Sequence, residues 1–282
     1  MRHAKGHASR NQPMRAYRIA YDGQPYHGFQ RQPDVDTVED RLIAALTALG
    51  VTDGEVPPGY AAAGRTDAGV SAKAQTIAFD APEWLTPRAL NSELPETVQA
   101  WAYTDVPTDF HATHDATERE YTYFLYAADK HEHLARKAVD RLTGEHDFHN
   151  LTVDEAGTER TLLAELDCDD SCFILRFRAG GFPRQFVRRA VTLVRQIAGG
   201  SRELPFLERV LAPDALSGPD GIGPAPPAPL VLTDVSYTGI EFITEQEAVE
   251  RTQQYFAKRH REYAAKTRIT ETLAQVGVES ER

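Results

Sequence analysis

The sequence predicts an α+β fold in which strands and helices are mixed along the chain. Alternating apolar and polar residues predict strands, and apolar residues spaced three to four apart predict helices. Strands are predicted at residues 17–21, 75–79, 120–127, 173–178 and 231–237, and helices at 37–50, 183–198 and 245–267. These elements do not alternate as regular strand–helix–strand units.

The first helix carries a clear capping signal. Thr37 can cap it, with Asp40 three residues further on, and an apolar stripe from Val38 to Leu49 stops before Gly50. We therefore expect this helix to pack its apolar stripe against the sheet.

Length and composition predict a globular protein with a substantial core, since 41% of its 282 residues are hydrophobic and 26% are charged. The sequence contains no run of eighteen apolar residues, and residues 1–13 lack the apolar stretch of a signal peptide. We expect a cytoplasmic protein without a membrane span. Four segments are predicted: a basic, disordered N-terminal arm (1–14), an N-terminal half (15–107), a C-terminal half (108–241) and a polar helical extension (242–282).

Positive charge is concentrated within an acidic chain. The formal net charge is -11, yet residues 176–202 contain seven arginines and no acid. On a helical wheel Arg184, Arg188 and Arg195 fall within about 40° of one another, beside an apolar face. A solvated helix face would explain a mixed-charge run, but a cationic stripe without acids favours anion binding, so Arg184 is a candidate phosphate contact.

Asp67 is the strongest candidate for chemistry. It lies between Gly64 and Gly69, where the backbone can bend sharply and hold a short carboxylate above a cleft. Asp-x-Gly alone is usually just a turn. Arg65 nearby changes this reading, because a guanidinium favours the charged carboxylate and so suits it to act as a nucleophile.

An aromatic strand follows Arg119. Tyr121 and Tyr123 share one face and Phe124 and Tyr126 the other, so only one pair can face a binding cleft. The pattern does not decide which pair does so.

Other kinds of site are disfavoured. Cys168 and Cys172 form a single C-x3-C pair, and the scattered histidines match no metal motif, so we expect ordinary thiols and no metal. The sequence also lacks phosphate-loop, dinucleotide-binding and serine-hydrolase motifs.

Several segments together resemble the tRNA pseudouridine synthases of the TruA type. AGRTDAGVSAKAQTIAFD resembles the family's catalytic loop, and YDGQPYHGFQRQPDVDTVEDRL its opening strand, loop and first helix. Similar segments follow in the family's order: ALNSELPETVQA, FHATHDATEREYTYFLY, FPRQFVRRAV and APPAPLVLTDVSY. The resemblance covers residues 15–240, and with the excess of acids and of arginine over lysine it indicates the archaeal, halophilic branch of the family.

The resemblance implies a role for each matching residue. Asp67 would be the catalytic aspartate and Arg188 its partner, and Arg65 would help to displace the target nucleotide. Tyr121 would stack on the uracil, and Leu230 would line the base pocket. The family breaks the uridine glycosidic bond and rejoins the base through carbon five, without metal or nucleotide cofactor.

The resemblance also implies an architecture and a substrate. The expected fold has two similar, antiparallel-rich sheet halves flanked by helices around a basic cleft. The expected substrate is uridine at about positions 38 to 40 of the tRNA anticodon stem-loop, bound across a homodimer.

Four positions depart from the family's usual residues. Ser71 stands for histidine, Phe29 for tryptophan, Phe186 for methionine and Arg189 for asparagine, which puts the choice of tRNA positions in doubt. Two alternatives stay open: a non-catalytic RNA-binding protein on the same fold, and a hydrolase that pairs Asp67 with a second acid.

Overall fold

A computed structural model describes residues 12–169 and 171–276. The helices are α1 (Val38–Ala48), α2 (Pro87–Asn91), α3 (Glu132–Leu142), α4 (Phe186–Ala198), α5 (Pro205–Val210) and α6 (Gln246–Leu273). The strands are β1 (Met14–Tyr21), β2 (Ala61–Ala62), β3 (Ser71–Asp80), β4 (Val98–Asp105), β5 (Ala116–Tyr126), β6 (Gly144–Asp147), β7 (Glu159–Asp169), β8 (Cys172–Ala179), β9 (Leu230–Tyr237) and β10 (Ile243–Thr244). The predicted mixture of strands and helices is confirmed, and the fold is α+β.

The described strands form one ten-stranded sheet. Its order is β10-β4-β1-β3-β9-β5-β8-β7-β6, with β2 paired to β3. The β3–β9 pair is parallel, and the other described pairs are antiparallel. Strand β9 therefore joins the early strands to the later ones, although it comes near the end of the chain.

Two hydrophobic cores lie side by side along this sheet. One packs α1 and α2 against β1, β3 and β4, and the other packs α3 and α4 against β5, β7 and β8. Strand β9 contributes Leu232 and Val235 to the first core and Leu230 to the second. The two halves thus share a continuous sheet, and the central strand holds them together.

The N-terminus of α1 confirms the predicted cap. The amide of Asp40 donates to the Thr37 hydroxyl at 3.2 Å, and the amide of Thr37 donates to the Asp40 carboxylate at 3.2 Å. After the helix, Gly50 takes a positive φ of 70°, a conformation that glycine adopts without strain.

The start of α4 corrects the predicted arginine stripe. The helix begins at Phe186, because Gln185 before it is left-handed with φ 61°. Arg184 therefore precedes the helix and does not share its face with Arg188 and Arg195. The helical wheel was wrong for Arg184, because the sequence periodicity does not reveal that the backbone at Gln185 breaks the helix.

The chain ends were predicted from composition alone. Residues 1–11 lie outside the described residues, and Met14 is buried in β1. Helix α6 packs against β4, and its Arg259 reaches Asp22, just after β1, at 3.3 Å. Residues 263–276 are exposed. None of the described helices is both long and apolar enough to cross a bilayer.

Candidate active site

The Asp67 loop connects β2 to β3 and is held by the segment between β1 and α1. The amide of Phe29 donates to the Thr66 carbonyl at 3.1 Å, and the amide of Gly69 donates to the Tyr26 carbonyl at 3.2 Å. The buried hydroxyls of Tyr21 and Thr66 also share a hydrogen bond of 2.8 Å. These contacts on both sides of Asp67 fix the loop without using its carboxylate.

Close backbone approach explains two glycines around this loop. A Cβ at Gly23 would lie 2.0 Å from the Val70 carbonyl oxygen, and one at Gly28 would lie 2.9 Å from the Thr66 carbonyl oxygen. Gly28 also takes a positive φ of 97°. A side chain at either position would push the Asp67 loop away from the segment between β1 and α1.

The Asp67 carboxylate contacts Arg188 on α4. Arg188 Nη1 donates to Asp67 Oδ2 at 2.8 Å, and its Nε donates to the Ala225 carbonyl at 2.7 Å. The Ala225 amide returns a bond of 3.0 Å to the Arg188 carbonyl. The Arg188 side chain is 14% exposed and that of Asp67 36% exposed, so Arg188 is fixed while one side of the carboxylate stays accessible.

Tyr121 is half-buried on β5 and lies within electrostatic range of Asp67. Its ring meets Phe182 edge-on, with centroids 5.3 Å apart and planes at 85°. Burial raises the pKa of Tyr121 to about 12, the Arg119 charge opposes this rise, and the Asp67 charge adds to it. The phenol is therefore protonated at neutral pH.

The structure shows which aromatic residues of β5 face the candidate site. Tyr123 is buried and Tyr121 faces the site, whereas Phe124 and Tyr126 are 46% and 68% exposed on the other face of the sheet. The face that carries Tyr121 is the one that faces Asp67.

Leu230 lies at the start of β9 and is buried in the second core. Its amide donates to the Pro227 carbonyl at 2.9 Å, and the Pro227 ring lies against Gly69 of the Asp67 loop. The proline-rich segment before β9 therefore covers the Asp67 loop as well as holding Arg188 through Ala225.

Two predicted arginines lie apart from the Asp67–Arg188 contact. Arg65 is exposed and makes no hydrogen bond or ion pair with the part of the chain that the structure describes. Arg184 pairs with Asp154: its Nε lies 2.5 Å from Oδ1, and its amide donates to Oδ2 at 2.7 Å. The prediction of a stripe without acidic partners is therefore also wrong, because Asp154, which is distant in sequence, lies beside Arg184 in the fold.

Sequence reasoning missed Arg119 as a part of this site. It is buried on β5, and its guanidinium donates to the carbonyl of Ala63 just before the Asp67 loop. The available signal was its spacing of two residues from Tyr121, which puts both side chains on one face of the strand.

Metal-binding residues do not cluster among the described residues. No group of three or more His, Cys, Asp or Glu side chains there could hold a metal ion. Cys168 and Cys172 are free thiols near the β7–β8 turn.

Comparisons with known proteins give close relatives over nearly the whole chain. The tRNA pseudouridine synthase A of Haloarcula marismortui is 56% identical, covering 92% of this chain and 98% of that protein. Those of Natronomonas pharaonis and Archaeoglobus fulgidus are 56% and 38% identical, covering 93% and 84% of this chain and 99% and 89% of theirs. No family model matches the sequence.

Proposed function

Because this chain belongs to the archaeal tRNA pseudouridine synthase A family, we propose that it isomerises uridine in tRNA with Asp67 as the catalytic carboxylate. One observation carries the role of Asp67: its carboxylate is held by Arg188 on one side and is accessible on the other. A fixed carboxylate with an open side is what attack on a bound nucleotide requires.

The proposed reaction conserves every atom and electron. The bond between ribose C1′ and uracil N1 breaks, the base turns, and C1′ bonds to C5. The hydrogen on C5 leaves as a proton, and N1 takes up a proton. Asp67 can begin this sequence by attacking C1′, which displaces N1, or by adding to the base. In either case the bond to Asp67 breaks again once C5 has joined C1′, so the carboxylate is regenerated, and Arg188 holds it in place throughout.

The target uridine has to leave its stack before Asp67 can reach it. Unstacking a nucleotide costs a few kcal/mol, so groups that replace the lost contacts favour it. Arg65 is exposed and can enter the space that the nucleotide vacates. Tyr121 offers a ring that Phe182 holds in place. Leu230 is proposed to line the base pocket, and because it is 4% exposed the base would meet only the edge of its side chain.

The expected substrate is uridine in the anticodon stem-loop, at about positions 38 to 40. Arg184 is 72% exposed and is proposed to contact a tRNA phosphate beyond the target nucleotide. We expect the reaction to take place in the cytoplasm, where the protein would meet its tRNA.

Tritium release from tRNA that carries uridine labelled at carbon five tests the role of Asp67. Asp67→Asn removes the charge but keeps the size of the side chain, so we expect it to bind tRNA and release no tritium above background. Asp105→Asn is the matched control, because Asp105 is also an arginine-paired aspartate, which lies on β4 away from the Asp67 loop. We expect the control to keep the wild-type rate.

Two results would contradict this proposal. Tritium release by Asp67→Asn at the wild-type rate would exclude Asp67 as the catalytic group. If the wild-type protein bound tRNA but released no tritium at any salt concentration, the non-catalytic RNA-binding alternative would be favoured.

We also propose a homodimer that presents the cleft to one tRNA across both subunits. The exposed Phe124 and Tyr126 on the sheet face opposite Tyr121 support this, because a paired subunit would bury them. Light scattering across a range of protein concentrations tests it, and a monomer at every concentration would contradict it.

A further inference from the structure

Arg119 makes an unusually complete set of hydrogen bonds for a buried side chain. It is 9% exposed, and a guanidinium has five N–H groups. Nε and Nη2 donate to the Ala63 carbonyl at 3.1 and 2.8 Å, and Nη2 also donates to the Thr113 carbonyl at 2.6 Å. Nη1 donates to the carbonyls of Gly180 and Ala116. Five bonds thus match the five donors, and every acceptor is a backbone carbonyl.

These carbonyls belong to three segments, which also touch one another through the bond from the Thr113 hydroxyl to the Ala62 carbonyl and through the pairing of β5 with β8. Ala63 leads into the Asp67 loop, four residues before the carboxylate. Thr113 and Ala116 lie at the entrance to β5, which carries Tyr121. Gly180 follows β8 and begins the connection to α4, which carries Arg188. One guanidinium therefore links the segments that carry all three groups around the proposed reaction.

Arg119 has no carboxylate partner among the described residues. Burial lowers the pKa of this guanidinium from its ordinary value, because the charge is withdrawn from water. A buried charge without a counter-ion is destabilising unless its hydrogen bonds are complete. The carbonyls around Arg119 therefore have to stay in the positions that allow all five bonds. An apolar side chain could fill the space but would leave the carbonyls without donors.

We propose that Arg119 is a positioning residue that holds the Asp67 loop in place relative to α4 and β5. Through Ala63 and Gly180 it sets the distance at which Asp67 meets Arg188, and it does not touch the substrate. This role rests on the proposed function of Asp67. Small displacements of a reacting group lower the rate much more than they lower substrate binding, because binding uses many other contacts.

Arg18 offers a matched control on the same sheet. It is also buried and bonds the backbone carbonyls of Ala74 and Val235. Unlike Arg119 it also bonds the Thr76 hydroxyl and pairs with Asp234, and none of these partners belongs to the Asp67 loop. Arg119→Lys and Arg18→Lys each keep the charge and lose the planar fork, so both lower stability. Only the first removes bonds to the segment that leads to Asp67.

The experiment compares these variants by single-turnover tritium release, tRNA binding, thermal unfolding and amide hydrogen exchange of residues 63–70. We expect Arg119→Lys to lower the rate constant about 10- to 100-fold with the tRNA Kd changed less than about twofold. Exchange in residues 63–70 should become faster. Arg119→Met, if it folds, should lose more rate than Arg119→Lys, and Arg18→Lys should keep the wild-type rate and loop protection.

Three results would contradict the positioning role of Arg119. A rate within about twofold of wild type in Arg119→Lys would overturn the positioning role. So would rate loss without faster exchange of residues 63–70, or equal rate loss in Arg18→Lys. If Arg119→Lys loosens the loop while Asp67→Asn is fully active, the proposed role of Asp67 is wrong and the structural link through Arg119 stands.

Discussion

The Asp67–Arg188 and Asp154–Arg184 pairs have different surroundings, although the two arginines are only four residues apart. Arg188 is 14% exposed and donates both to Asp67 and to the Ala225 carbonyl, so its position is fixed by two segments. Arg184 is 72% exposed and, through its side chain and its amide, bonds only Asp154 among the described residues. A buried, doubly held guanidinium can aim a carboxylate, whereas an exposed one is free to exchange its partner for a phosphate.

The difference also shows the limit of reading charge along a chain. The arginine-rich segment contains no acid of its own, yet Asp67, Asp154, Glu165 and Asp220 all meet its arginines in space. The net positive charge that the sequence indicates is therefore partly neutralised. What distinguishes these arginines is their burial and second partners, which only the packing determines.

Replacing the buried Arg188 should have the largest effect on the reaction rate. We expect Arg188→Ala to lower the rate of tritium release about 100-fold, because Asp67 loses the group that aims and stabilises its charge. Unfolding free energy should fall by only about 1–2 kcal/mol, since Asp67 is partly solvated. Single-turnover kinetics and denaturant unfolding measure the two effects.

Arg15→Ala is the control for this variant. Arg15 is also a buried arginine that pairs with an aspartate, Asp105, and donates to backbone carbonyls, but it does not contact the Asp67 loop. We expect its rate to match wild type. An unchanged rate in folded Arg188→Ala, or equal losses in both variants, would show that the Asp67–Arg188 contact does not matter for the reaction.

Removing the exposed arginine should change binding and not the chemical step. We expect Arg184→Ala to reduce the salt dependence of tRNA binding by at most about one unit of the log–log slope, because one phosphate contact is lost. The single-turnover rate at saturating protein should stay unchanged. Binding titrations at several salt concentrations measure the slope, and a slope equal to that of wild type would remove Arg184 from the tRNA contact surface.

The smallest expected effect is on stability at low pH, through Asp154. The Arg184 amide, and after it the Arg184 side chain, lowers the pKa of Asp154. The stability that the ionised Asp154 carboxylate contributes to the fold is therefore present above about pH 4 and is lost as the pH falls through the lowered pKa. We expect Asp154→Asn to be less stable by at most about 1 kcal/mol at pH 7, a difference that shrinks below about pH 4.

Denaturant unfolding at constant ionic strength measures this difference. A gap between Asp154→Asn and wild type that widened on acidification would contradict the ion pair, because protonated Asp154 can no longer attract Arg184.

Local signals predicted much of the fold and the centre of the site. The Thr37 cap, the strand periodicities and the glycines around Asp67 depend on neighbours within a few residues, and the structure follows them. The break at Gln185 and the five bonds of Arg119 were not predictable in this way. Three of the five Arg119 bonds reach carbonyls 56 or 61 residues away, and the Arg184 amide just before the break bonds Asp154, which is 30 residues away.

The sequence by itself determined the α+β class, the order of its main elements and the family to which the chain belongs. It did so because periodicity, capping and motif order are properties of contiguous residues. Only the tertiary structure decided that β9 lies between β3 and β5, which face of β5 meets Asp67, and which arginine reaches it. Those outcomes depend on long-range packing and on the cost of leaving buried polar groups unpaired, and neither can be read from any single segment.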